Sequence, residues 1–122
     1  MKYMFLLFDE KTADQLTEAE SAAWYAFRDN AQTVAKLVDG FPLQPPATAT
    51  TVSVRNGKRM ASDGPFVETK EVLGGFFIFD CDNLDVALDI ASKAPCALTG
   101  HVEVRPLFDT EARQPSRAGS VA

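Results

Sequence analysis

The run Tyr3-Met4-Phe5-Leu6-Leu7-Phe8 is apolar at every position. It is too short for a helix of typical length and too apolar for a strand with one face in water. Such a run fits a strand covered on both faces. A second run, Phe76-Phe77-Ile78-Phe79, has the same character. Neighbouring residues of a strand point to opposite faces, so neither run can hide all its side chains under one layer of helices. A chain built on these strands must bring cover to both sides of a sheet, and this requirement shapes the rest of the reading.

The intervening segments supply one of the two covers. Thr17-Glu18-Ala19-Glu20 has the pattern of a helix start, with Thr17 as N-cap and Glu20 at the capping-box position. Ala23, Phe27, Ala31, Val34 and Val38 recur at helical spacing, with Trp24 and Leu37 beside them. The expectation is a helix from Thr17 to Val38, stopped by Asp39-Gly40. In this helix Phe27 belongs to the core, Tyr25 to the surface, and Trp24 flanks the apolar stripe. A second helix is capped by Asp82 or Asn83, carries Leu84, Ala87, Leu88 and Ala91 on its apolar face, and ends before Pro95.

The remaining segments are extended. Pro42, Pro45 and Pro46 lie in a connection within one domain. Ala47–Arg55 and Lys58–Ala61 flank Asn56-Gly57, the residue pair that a tight type I′ hairpin turn favours. Asp63-Gly64-Pro65 is a further turn. Gly74-Gly75 opens the aromatic strand. From His101 to Leu107 polar and apolar residues alternate: Val102 and Val104 point one way, His101, Glu103 and Arg105 the other.

The expected order is strand, helix, hairpin, strand, helix, strand. This is an α+β fold of the split βαβ, ferredoxin-like kind: one antiparallel sheet with both helices on one face. A second copy of the chain on the other face, forming a homodimer, is the economical cover for the remaining apolar side chains. With 122 residues the chain fits a single domain. The domain is expected over residues 1–108, and residues 109–122, which lack apolar periodicity, as a mobile tail.

Composition narrows the function classes. Lys and Arg total 12 against 17 Asp and Glu, a net charge of −5. An acidic chain lacks the cationic surface that nucleic acid binding needs. No apolar run approaches the length of a membrane span. Asp9-Glu10 follow the N-terminal run at once and no small-residue cleavage site appears, so a strand is preferred to a signal peptide. Cys81 and Cys96 form no CxxC motif and no disulfide framework, as expected of reduced thiols in a cytoplasmic protein. One His and two Cys make no recognisable metal-ligand set. Gly74-Gly75 is not a phosphate loop, and no serine-nucleophile elbow is present. Neither a metal nor another cofactor is expected.

The candidate site residues follow from the strand alternation and the turn. His101, Glu103 and Arg105 share one sheet face. A histidine titrates at about pH 6.5 when unperturbed, which suits proton transfer. Arg105 suits a carboxylate. The plainer alternative is an ion pair between Glu103 and Arg105, with His101 exposed at a strand end. Asp63 is a candidate base, or else caps its own turn. Glu68 and Lys70 form a charged lid over a pocket, or a solvated connection. The candidates are thus His101 and Asp63 for catalysis and Glu68, Lys70, Glu103 and Arg105 for ligand binding. Phe66 is expected to anchor its loop in an apolar surface.

Asp63-Gly64-Pro65-Phe66-Val67-Glu68-Thr69-Lys70-Glu71, followed by Leu73-Gly74-Gly75-Phe76, resembles the signature of YCII-related proteins of the DGPF type. Met1-Lys2-Tyr3-Met4, the stretch Pro45–Val52 and Val102-Glu103-Val104-Arg105-Pro106-Leu107 are similar too, so the resemblance runs from Met1 to about Phe108. It implies a ferredoxin-like subunit in a dimeric α+β barrel, in a bacterial protein. Relatives in the wider superfamily include lactone isomerases, dehalogenating enzymes and haem-handling monooxygenases. The resemblance therefore implies a small-molecule pocket on the sheet face of a homodimer, with isomerase- or lyase-like proton transfer through His101 or Asp63 as the alternative. Many DGPF-type proteins are encoded beside sigma factors of the extracytoplasmic-function class, which implies a third alternative, a regulatory interaction module. Some YCII relatives carry a His–Asp pair with the His on the first helix. The first helix expected here contains no His, so that mechanism is not carried over.

Overall fold

The computed structural model describes residues 1–110. Its elements are β1 (Lys2–Asp9), α1 (Glu18–Ala31), β2 (Lys36–Pro42), β3 (Thr50–Arg55), β4 (Lys58–Asp63), β5 (Val72–Asp80), α2 (Leu84–Ser92), a short α3 (Cys96–Thr99) and β6 (His101–Pro106). Four strands form one sheet in the order β2-β5-β1-β6, and β3 and β4 form a separate two-stranded sheet. All the pairings are antiparallel. With both helices packed on one face of the larger sheet, this is the ferredoxin-like α+β arrangement.

The core explains the layering. Tyr3, Phe5 and Leu7 of β1 and Phe79 of β5 are buried against Phe27 and Ala31 of α1 and Ala87, Ile90 and Ala91 of α2. Phe5 and Phe79 are fully buried and meet edge to face, with ring centroids 5.3 Å apart. Within this one chain the other face of β1 is only half-buried: Met4, Leu6 and Phe8 alternate with the core residues.

The local signals for both helices are realised. Thr17 Oγ1 accepts the backbone N–H of Glu20 at 3.1 Å, and Glu20 Oε1 accepts that of Thr17 at 3.0 Å. Asn83 Oδ1 caps α2 by accepting the N–H of Val86 at 3.0 Å. The hairpin turn also forms, with φ of 53° at Asn56 and 73° at Gly57.

Three expectations are corrected. The first helix ends at Ala31 rather than Val38, and Lys36–Pro42 is a strand. Val34 and Val38 happen to continue the helical spacing of α1. Yet Thr33, Val34 and Val38 are β-branched and suit extended backbone. Thr33 Oγ1 donates to Asn30 O at 2.7 Å, tying off the helix, and β2 then pairs along the edge of β5. Asp39-Gly40 therefore lies within a strand. The second correction concerns the hairpin, which stands apart as an insertion between β2 and β5 rather than joining the main sheet. The place expected for it belongs to β2. The third is Phe66, which is 88% exposed instead of anchored, because none of the described residues covers the loop that carries it. The tail expected over 109–122 lies, from residue 111, outside the described residues.

Candidate functional site

The register of β1 with its two neighbours defines the face turned away from the helices. Phe8 lies opposite His101, Leu6 opposite Glu103 and Met4 opposite Arg105. On the other side of β1, Leu6 lies opposite Phe76 and Met4 opposite Ile78. Directly opposed residues share a face. The open face is thus an apolar centre of Met4, Leu6, Phe8, Phe76 and Ile78, all partly buried. Along one edge runs the polar row His101, Glu103 and Arg105. Val102 and Val104 point to the helices and pack on the core.

His101 is seated by three contacts. Its ring lies flat on Phe8, with centroids 4.5 Å apart and 7° between planes. Its Nδ1 is 2.6 Å from Glu71 Oε1. Its carbonyl oxygen lies 3.7 Å from the Cys96 sulfur. Gly100 makes this seat accessible to the backbone. A Cβ there would sit 2.1 Å from Phe8 O and 2.9 Å from Asp9 Cα, so only glycine lets the chain between α3 and β6 come this close to β1. Beside it, Thr99 Oγ1 donates to Asp9 Oδ2 at 2.7 Å and holds the same approach. The imidazole itself is about half exposed, at 56% of its side-chain surface.

With a carboxylate as acceptor, the contact places the His101 proton on Nδ1 and leaves Nε2 of the neutral ring with a free lone pair. The contacts orient the ring: a carboxylate sets the tautomer and an aromatic ring sets the plane. Glu71 and Phe8 are the partners that sequence reasoning missed. Glu71 is the last residue of the Asp63–Glu71 segment, one position before β5. Pairing of the N-terminal apolar strand with the alternating C-terminal strand was the signal available for Phe8.

The other candidates are placed as follows. Asp63 is the last residue of β4, exposed and opposite Thr50. The turn after it is tied by Gly64 N–H donating to Ala49 O at 2.7 Å and Thr51 Oγ1 donating to Gly64 O at 2.9 Å. Asp63 and His101 belong to different sheets, and among the described residues no hydrogen bond or ion pair joins them. Glu68 is exposed. Lys70 Nζ lies 3.2 Å from Glu10 Oε1, both largely in solvent, where such a pair contributes little. Arg105 Nη1 is 4.0 Å from Glu103 Oε2, with both side chains at least half exposed.

The two thiols are buried, which disfavours the reactive thiolate form. Burial pushes Cys81 up, and burial, helped by the nearby Asp9 carboxylate, pushes Cys96 up to about 11. Among the described residues no three His, Cys, Asp or Glu side chains are grouped to hold a metal ion. No helix there is long and apolar enough to cross a membrane. A cavity of about 300 Å³ lies between α1 and the sheet; Phe8 and Phe76 are among its lining residues, and none of the six candidates is.

Comparison with known proteins adds two findings. An uncharacterised protein of Rhizobium meliloti (strain 1021) is 48% identical over 67 residues, which is 53% of this chain and 54% of the relative. The chain thus matches about half the length of that relative. The family model of the YCII-related domain matches residues 1–111, which takes in every strand and helix described above. By that match the chain belongs to the YCII-related domain family.

Proposed function

We propose that the chain binds a small organic molecule against the open face of its sheet, in a pocket closed by a second copy of the chain. The observation that carries this is the seat of His101. The only imidazole in the sequence is stacked on Phe8 and held by Glu71 at the border of a half-buried apolar surface. The apolar centre supplies cover for a ligand body. Glu103 and Arg105 on the same face supply polar groups that fix its orientation. Glu68 and Lys70, on the segment leading to Glu71, form the charged rim, with Asp63 at its start.

A second reading is proton transfer of the isomerase or lyase kind. The contact between His101 and Glu71 favours it, because an imidazole with its tautomer set by a carboxylate is equipped to take a proton at Nε2. Asp63 is the alternative base.

Light scattering after gel filtration tests the pocket's closure. The wild type is expected at twice 13.3 kDa. Leu6→Glu, which places a charge at the centre of the open face, is expected to return a folded chain at the single mass. A wild-type monomer at micromolar concentration sinks the shared pocket.

A further inference from the structure

The cavity of about 300 Å³ between α1 and the sheet has a chemistry of its own. Ser21, Trp24, Tyr25 and Arg28 stand at positions i, i+3, i+4 and i+7, so they run along one side of α1 and line one wall. Leu7, Leu37 and Phe77 form the facing wall, and Leu16 lies at the α1 N-terminal end. The Trp24 and Phe77 rings are 6.5 Å apart by centroid. Gly40 shapes the floor. A Cβ there would lie 2.4 Å from Phe77 Cδ1, so the ring occupies the space a side chain on β2 would need.

The charged groups of the lining are unequally committed. Lys11 Nζ is held by Glu20 Oε1 at 3.0 Å. The Asp9 carboxylate accepts from Thr99 and from the Glu10 backbone N–H. Arg28 is different. Its guanidinium lies over the Tyr25 ring at 5.0 Å, and the Asp29 carboxylate is 3.8 Å from Nε, beyond hydrogen-bonding distance. A guanidinium offers a fork of donors suited to a carboxylate, and stacking on an aromatic ring fixes its plane without using those donors. The volume stands at the lower end of the range for ligand pockets, which suits a compact molecule.

We propose that this cavity is a second binding site, for a small organic acid whose apolar body lies between Trp24 and the sheet residues Leu7, Leu37 and Phe77, and whose carboxylate is held by Arg28. The site lies on the helix side of the sheet, within one chain. Phe8 and Phe76, which belong to the open face, also border it, whereas His101, Glu103 and Arg105 do not.

Trp24 is the only tryptophan and lines the cavity, so its emission reports occupancy. The probes are phenylacetate and its uncharged counterpart 2-phenylethanol, titrated by fluorescence and by calorimetry. Phenylacetate is expected to bind saturably, and about tenfold or more tighter than the alcohol, the difference that a charge-assisted hydrogen bond supports. Arg28→Gln is expected to bring the acid down to the affinity of the alcohol. His101→Asn is expected to leave both unchanged, because His101 does not line this cavity, and a loss of binding in that variant overturns the assignment to it. Absence of saturable binding by either method overturns the proposal, as does an Arg28→Gln protein that still prefers the acid.

Discussion

Nδ1 of His101 lies 2.6 Å from Oε1 of Glu71, thirty positions away in sequence and held there by a sheet register and a single glycine. Glu71 ends the polar segment that leaves the hairpin, and His101 begins the last strand. The contact joins the motif-bearing loop to the open face of the sheet.

This contact fixes the imidazole tautomer. Nitrogen-15 spectra of the neutral ring are expected to show the proton on Nδ1 and none on Nε2. Glu71→Gln is expected to produce a mixture of the two tautomers. A wild-type ring protonated on Nε2 contradicts the hydrogen bond.

Phe79 is fully buried among core side chains of the sheet and helices, whereas Leu98 of α3 is 91% exposed. Phe79→Ala is expected to cost about 3–5 kcal/mol of folding stability through lost transfer energy and a cavity. Leu98→Ala is expected to change it by no more than about 0.5 kcal/mol. Urea unfolding of the two variants checks the contrast.

Cys81 and Cys96 are buried, and both thiols are held protonated beyond their ordinary range. Neither is expected to react with a disulfide reagent in the folded protein at neutral pH, and both are expected to react rapidly in denaturant. A count of thiols released with and without urea measures this.

Two carboxylates set an acid dependence. The Thr17 backbone N–H, then the Lys11 ammonium, lower Glu20 from its ordinary 4.5, and the N-terminal ammonium at 3.0 Å lowers Asp80 from its ordinary 3.8. Both are ionised more readily folded than unfolded. Their stabilisation is complete above the ordinary values and is lost as pH falls through the lowered folded ones. Urea midpoints taken at about pH 6 and about pH 3 are expected to drop less for Glu20→Gln and Asp80→Asn than for the wild type.

Much of this architecture is legible in the sequence because several signals are local. Thr17 with Glu20, Asn83 before Leu84, and Asn56-Gly57 each act within four residues, and each forms as its pattern implies. The strand β2 is not legible in that way. Val34 and Val38 satisfy a helical period by coincidence, and what makes Lys36–Pro42 extended is the free edge of β5, a partner far away in sequence. The detached hairpin follows from the same error, since β2 takes the edge that the hairpin was expected to fill. At the site, alternation places His101, Glu103 and Arg105 together, but Glu71 enters only through a tertiary approach at Gly100 and Phe8. Residue spacing carries no trace of that approach.

The most direct test of the open-face pocket uses the single imidazole as its own reporter. With histidine labelled, His101 gives one ring spectrum, to be followed against a library of small lactones, oxoacids and hydroxy acids. The account predicts that at least one compound shifts the His101 resonances saturably, and that Leu6→Glu and Glu71→Gln each weaken the response. Resonances that stay unmoved across the library in a dimeric wild type contradict a ligand site at His101.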